Sequence, residues 1–140
     1  LKGKLPPDLD ASANTILDEL AAGRRVADVP QPLQALFRPS VQPFLISASR
    51  FDPAKLIAST TLPILVLHAE RDLQVMRADL DALRAAKPKA RYVLLPEANH
   101  TLKTAPADLQ GNLALYQNPA APLDPGVLPP LVDFVRDVAR

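Results

Sequence analysis

The chain has 140 residues, 16 Lys and Arg against 15 Asp and Glu, 48% hydrophobic residues, 16 prolines and no cysteine. That length amounts to one domain at most, the near-neutral balance with scattered arginines argues against a nucleic-acid-binding face, and no apolar run approaches the roughly 20 residues of a membrane span. Without cysteine there is no disulfide, thiol nucleophile or cysteine metal site, while the compartment stays open.

In chain order, Leu1 is accompanied by neither a start methionine nor a signal-peptide pattern, so an upstream segment is expected. Asp10 or Ser12 is placed to cap a helix whose apolar positions Ala13, Ile16, Leu17 and Leu20 recur at helical spacing. Gly23 is placed to end it in the left-handed conformation. Proline-punctuated short helices follow at 32–37, 41–48 and 53–58, the last capped by Asp52 ahead of Pro53. Residues 1–61 therefore read as an all-helical layer.

From Leu62 the period changes. Ile64-Leu65-Val66-Leu67, bounded by Pro63 and by Glu70-Arg71-Asp72, has the texture of a strand buried on both faces. A helix with Leu80 and Leu83 on one face is expected over 75–86, and Lys87-Pro88-Lys89 stops it. Tyr92-Val93-Leu94-Leu95 repeats the strand pattern, so 62–95 forms a βαβ unit with parallel neighbouring strands. Residues 118–130, with five prolines, read as an extended linker. Leu128, Leu131, Val132, Val135 and Val138 then mark a helix on one face of the sheet, with Pro129 and Pro130 in its first turn. Two strands are too few for a parallel sheet covered on both sides. The expected remedy is a missing N-terminal segment of a longer protein, with another copy of the chain as the rival.

A parallel βαβ unit ends both strands on one edge, where open α/β folds place their sites. Asp72 follows the first strand and His100 the second, so a carboxylate and an imidazole are expected side by side. Nucleophilic hydrolysis uses that pair: the histidine takes a hydroxyl proton while the carboxylate orients the ring and stabilises its cation. The plainer reading makes Asp72 a turn former or helix cap and His100 a solvated loop residue. Glu70 is the rival acid, expected as a surface charge, and Glu97 is expected to be solvated. His68, at the end of the first strand, is expected to be packed and bonded to a backbone group. His68, His100 and Asp72 are a conceivable metal set, but no HxH or HxxxH spacing supports it, so neither metal nor cofactor is expected.

The stretch Leu62-Pro-Ile-Leu-Val-Leu-His-Ala-Glu-Arg-Asp72-Leu-Gln-Val75, followed by Tyr92-Val-Leu-Leu-Pro-Glu-Ala-Asn99-His100-Thr-Leu-Lys103, resembles the C-terminal part of α/β-hydrolase-fold proteins. The likeness is to their serine aminopeptidase-like and lysophospholipase-like branch. It implies an α/β fold made of the C-terminal part of a hydrolase, with a parallel βαβ unit and a C-terminal helix in 62–140. Residues 1–61 precede it as a helical lid, and Leu36-Phe37-Arg38-Pro39-Ser40-Val41-Gln42-Pro43-Phe44-Leu45-Ile46-Ser47 resembles that insertion.

By the same resemblance Asp72 and His100 complete a Ser-Asp-His triad of an enzyme acting on an ester, thioester or amide. Leu36, Phe37, Phe44 and Leu45 would favour a hydrophobic substrate, against the plainer expectation that each packs into the fold. The family's G-x-S-x-G nucleophile turn does not occur, since Ser12, Ser40, Ser47, Ser49 and Ser59 lack the flanking glycines. Ala69 stands where the family commonly has glycine, and Glu97-Ala98 replaces Gly-Met ahead of Asn-His. The chain alone is therefore expected to be inactive, with its serine upstream. A noncatalytic binding or assembly module that keeps half of the hydrolase fold is the alternative.

Overall fold

A computed structural model describes residues 5–140. The chain is mixed α/β and divides into two compact units, one reaching to Asp52 and the other spanning Pro53–Arg140. The boundary thus precedes the one expected after residue 61. Helix α4 (Pro53–Ser59), assigned from sequence to the helical layer, packs instead against α5 (Arg77–Ala86) of the second unit.

In the first unit α1 spans Pro7–Ala21, with no side-chain cap from Asp10 or Ser12. It starts earlier because proline has a helical φ and lacks the N–H that a first turn leaves unpaired. Asp8 and Asp10 lie in that first turn, where the helix dipole favours carboxylates. Gly23 does end the helix at φ 81°, with Gly23 N–H to Leu20 O at 2.9 Å and Arg24 N–H to Glu19 O at 2.9 Å. A 3₁₀ turn at Gln31–Leu33, α2 (Gln34–Phe37) and α3 (Gln42–Ala48) complete the unit. Ala13, Ile16, Leu20, Val29, Leu33 and Phe37 form its core, with Leu45 and Ile46 packed against it. Leu17, expected on the inner face, is exposed.

In the second unit β1 (Leu65–Ala69) and β2 (Arg91–Leu95) pair in parallel, from Leu65 opposite Arg91 to Ala69 opposite Leu95, with α5 as the crossover. Leu80 of α5 is buried, and the Tyr92 hydroxyl lies 2.9 Å from Leu83 O and 3.0 Å from Lys87 O at the end of that helix. The Asp79 carboxylate accepts the Met76 N–H at 2.8 Å and caps the start of α5.

The strands are only half-buried along most of their length, not covered on both faces as their apolar texture predicts. Strand axes about 5 Å apart make a ribbon narrower than one helix of about 10 Å, so two strands leave little sheet to enclose. Helix α7 (Leu128–Val138) has its prolines in the first turn, yet it buries no residue. Leu128, Leu131, Val132, Val135 and Val138 are exposed, while Pro130 and Phe134 are half-buried. Asp137 pairs with Arg91 of β2 at 3.4 Å.

Two further expectations change between the sheet and α7. Residues 118–127 are fastened, not an extended linker: Asp124 is buried, donates its N–H to Leu102 O at 2.8 Å and accepts from Thr104 Oγ1 at 2.6 Å. A helix absent from the sequence expectations, α6 (Leu109–Ala114), continues into a 3₁₀ turn at Leu115–Gln117.

Candidate functional site

The carboxyl ends of β1 and β2 hold the two loops in register. Glu70 N–H continues the ladder to Leu95 O at 3.0 Å, and Arg71 N–H reaches Ala98 O at 3.0 Å. Asp72 follows directly. Its Oδ1 accepts the N–H groups of Gln74 at 2.7 Å and Val75 at 3.0 Å, the turn-forming role that aspartate commonly takes. Its Oδ2 lies 2.9 Å from His100 Nδ1. Asp72 thus forms its turn through one oxygen and meets His100 through the other.

His100 sits at the tip of a tight turn. Ala98 and Thr104 form an antiparallel bridge, Asn99 N–H reaches Lys103 O at 3.0 Å and Leu102 N–H reaches Asn99 O at 2.8 Å. Leu102 takes φ 58°, as the third loop residue of such hairpins does, although glycine adopts that conformation more easily. Asn99 Oδ1 accepts from Thr101 N at 3.0 Å, Thr101 Oγ1 at 2.8 Å and Lys103 N at 3.3 Å. Asn99 is fully buried, so this side chain serves as an internal template for the turn that presents His100.

The Asp72 side chain is 9% exposed and that of His100 is 38% exposed. Burial pushes the Asp72 carboxyl upward, but the Gln74 N–H, His100 and the Val75 N–H together outweigh it, so its pKa lies below the ordinary value. Asp72 is thus ionised at neutral pH. With Nδ1–H donated to that carboxylate, a neutral imidazole carries its free lone pair on Nε2, the atom a general base uses.

The remaining candidates are placed elsewhere. Glu70 pairs with Arg77 at 2.8 Å, and Glu97 pairs with Arg71 at 3.0 Å. His68 is buried in β1 opposite Leu94 of β2, and the structure gives its ring no backbone partner among the described residues. It lines a cavity of about 170 Å³ with Glu70, Asp72, Val75, Met76 and Arg77. No group of three or more His, Cys, Asp or Glu side chains among the described residues is placed to hold a metal ion. Phe37 is buried and Leu45 is half-buried in their own unit's core, whereas Leu36 and Phe44 are exposed. Ser12, Ser49 and Ser59 donate to Asp8, Ile46 and Leu56 carbonyls within a turn of their own helices.

Sequence reasoning missed the residues that join the two loops. Asn112 of α6, almost fully buried, donates to Arg71 O at 2.8 Å, and Asn99 Nδ2 lies 3.2 Å from its Oδ1. The local signal was Asp108, whose carboxylate accepts Gly111 N–H at 2.8 Å as a helix cap. No family model, curated protein or solved structure matches this chain.

Proposed function

We propose that this chain supplies the acid and base of a serine hydrolase of the α/β-hydrolase kind, with the nucleophilic serine on a segment upstream of Leu1. The observation carrying this reading is the 2.9 Å contact between Asp72 Oδ2 and His100 Nδ1 at the carboxyl ends of adjacent parallel strands. A depressed Asp72 pKa and a His100 ring open to solvent on its other side support it.

On this reading His100 Nε2 removes the serine proton as Oγ bonds to the carbonyl carbon and the carbonyl π electrons move to oxygen. The tetrahedral adduct collapses, the bond to the leaving group breaks, and that group takes the proton from His100. Water repeats the sequence on the acyl-enzyme, releasing the acid and regenerating serine. Asp72 holds the ring and stabilises its cation throughout. Substrates are esters, thioesters or amides with a hydrophobic acyl group.

The test uses the protein carrying its upstream reading frame. A serine-directed fluorophosphonate probe labels it, and His100→Ala lowers both labelling and kcat by several orders of magnitude with the fold intact. Asp72→Asn lowers kcat by roughly 10⁴-fold, while Glu70→Gln and Glu97→Gln stay within about tenfold, or ~1.4 kcal/mol in barrier. A reading frame without a serine turn, or wild-type turnover in His100→Ala, defeats the proposal.

A further inference from the structure

Beside the Asp72–His100 pair lies a polar brace that neither residue requires for its own turn. Asn112 of α6 takes Arg71 O with its amide nitrogen, and its Oδ1 accepts from Asn99, so one buried side chain joins the residue preceding Asp72 to the residue preceding His100. On the same loop as His100, the buried Lys103 reaches in the other direction. Its Nζ donates to Leu115 O at 3.2 Å and to Asn118 O, a cation set against carbonyls at the end of the α6 segment. Between those two carbonyls in sequence lies Tyr116, whose ring stacks on the His100 imidazole with centroids 6.2 Å apart and planes 12° from parallel.

The Tyr116 hydroxyl oxygen is buried and has no hydrogen-bond partner among the described residues. Its presence therefore explains nothing about the contact, and the ring face is what His100 meets. An imidazole with 38% of its side chain exposed and one bond to a carboxylate has freedom to swing into solvent. An aromatic plane fixed parallel to it removes part of that freedom.

We propose that Tyr116 is a positioning residue that holds the His100 ring against Asp72, and that α6 with its 3₁₀ extension is the brace that places it. The inference rests on the hydrolase reading for its purpose, but its test does not require turnover. Asn112 sets the distance between the loops, Lys103 anchors the segment carrying the ring, and Tyr116 sets the plane of the imidazole.

The experiment reads the His100 tautomer in the ¹⁵N-labelled 140-residue chain by long-range ¹H–¹⁵N correlation, recorded to a pH at which the ring is neutral. His68, the other histidine, is the internal reference. Wild type is expected to carry its proton on Nδ1. Tyr116→Leu, which keeps apolar bulk without a ring face, is expected to lower the ratio of Nδ1–H to Nε2–H form about two- to tenfold. Tyr116→Phe keeps the wild-type ratio. Asn112→Ser, which leaves the ring and releases the brace, lowers the ratio as well.

An unchanged ratio in whichever of Tyr116→Leu and Asn112→Ser retains the amide spectrum of β1 and β2 overturns the proposal. A Tyr116→Phe ratio as low as that of Tyr116→Leu overturns it too, because the hydroxyl and not the ring face would then matter. A wild type without the Nδ1–H form defeats the Asp72–His100 pairing itself. A paired wild type that is insensitive to both variants defeats the brace alone and leaves the hydrolase reading standing.

Discussion

The helical unit ending at Asp52 and the βαβ unit beginning at Pro53 bury opposite kinds of chemistry. Among the described residues the first turns six apolar side chains inward and locks them with one buried polar residue, Gln42, whose amide bonds Val26 N–H at 2.9 Å, Val26 O at 2.7 Å and Phe37 O at 2.8 Å. The second has a small apolar cluster of Ala69, Leu95, Ala98 and Val127, and buries His68, Asn99, Lys103, Asn112 and Asp124 around its loops. Its largest apolar stripe, on α7, faces outward. Apolar burial gives undirected stability, whereas buried polar groups need specific partners and so fix loop geometry. The helical unit thus rests chiefly on apolar packing, whereas the βαβ unit fixes its loops through polar contacts.

The largest effect expected from this contrast is in the helical core. Leu33→Ala, at a position 1% exposed, should cost about 2–5 kcal/mol. Hydrogen exchange should show the loss across α1–α3 with β1 and β2 still protected. Equal loss in the strands would mean that the two units unfold together.

The two buried amides come next. Gln42→Ala leaves three backbone groups of the helical unit without their partner and should cost about 3 kcal/mol, whereas Asn112→Ala should cost about 1–3 kcal/mol. The variants should differ more sharply in what else they disturb. Chemical-shift changes at His100 are expected only for Asn112→Ala, and their absence would break the claim that buried polarity in the second unit serves the loops.

Tyr116→Phe removes a buried hydroxyl that has no partner among the described residues, so a gain of roughly 1 kcal/mol is expected in thermal or urea unfolding. A loss would show that the hydroxyl is bonded in solution.

The acid limb tests Asp72. A carboxyl whose folded pKa lies below its unfolded value of about 3.9 adds stability that is fully present above that value and disappears as pH falls through the folded pKa. The wild-type chain should lose stability over that window, and Asp72→Asn should flatten this part of the profile. An unchanged slope would remove the electrostatic case for the pair.

The smallest effect is expected on α7, where Val135→Ser at a 54% exposed site should stay within about 0.5 kcal/mol. A larger loss that grows with protein concentration would show that a second copy covers the stripe.

Much of this was legible in the sequence because it is written in short-range patterns. Branched apolar runs at 64–67 and 92–95 identified both strands, and the helical spacing between them implied a crossover and therefore parallel pairing. From that pairing followed the meeting of Asp72 and His100. The helices at 42–48, 53–59 and 128–138 and the left-handed glycine after α1 were equally local. Helix α6 was not legible, since its sequence has little apolar periodicity and its order depends on Asn112, Lys103 and the loop they bind. Nor was the exposure of α7, because an apolar stripe states what a helix prefers to bury and not whether a surface is there to receive it.

By itself the sequence determined the parallel βαβ unit and which carboxylate and imidazole its edge brings together, because strand and helix periods are properties of neighbouring residues. Only the tertiary structure decided that Asp72 divides its oxygens between a turn and a histidine, that Asn99 and Asn112 join the second loop to the first, and that Tyr116 stacks on the histidine. Those contacts join residues distant in the chain, and a hydrogen bond depends on direction and distance that spacing along a sequence does not encode.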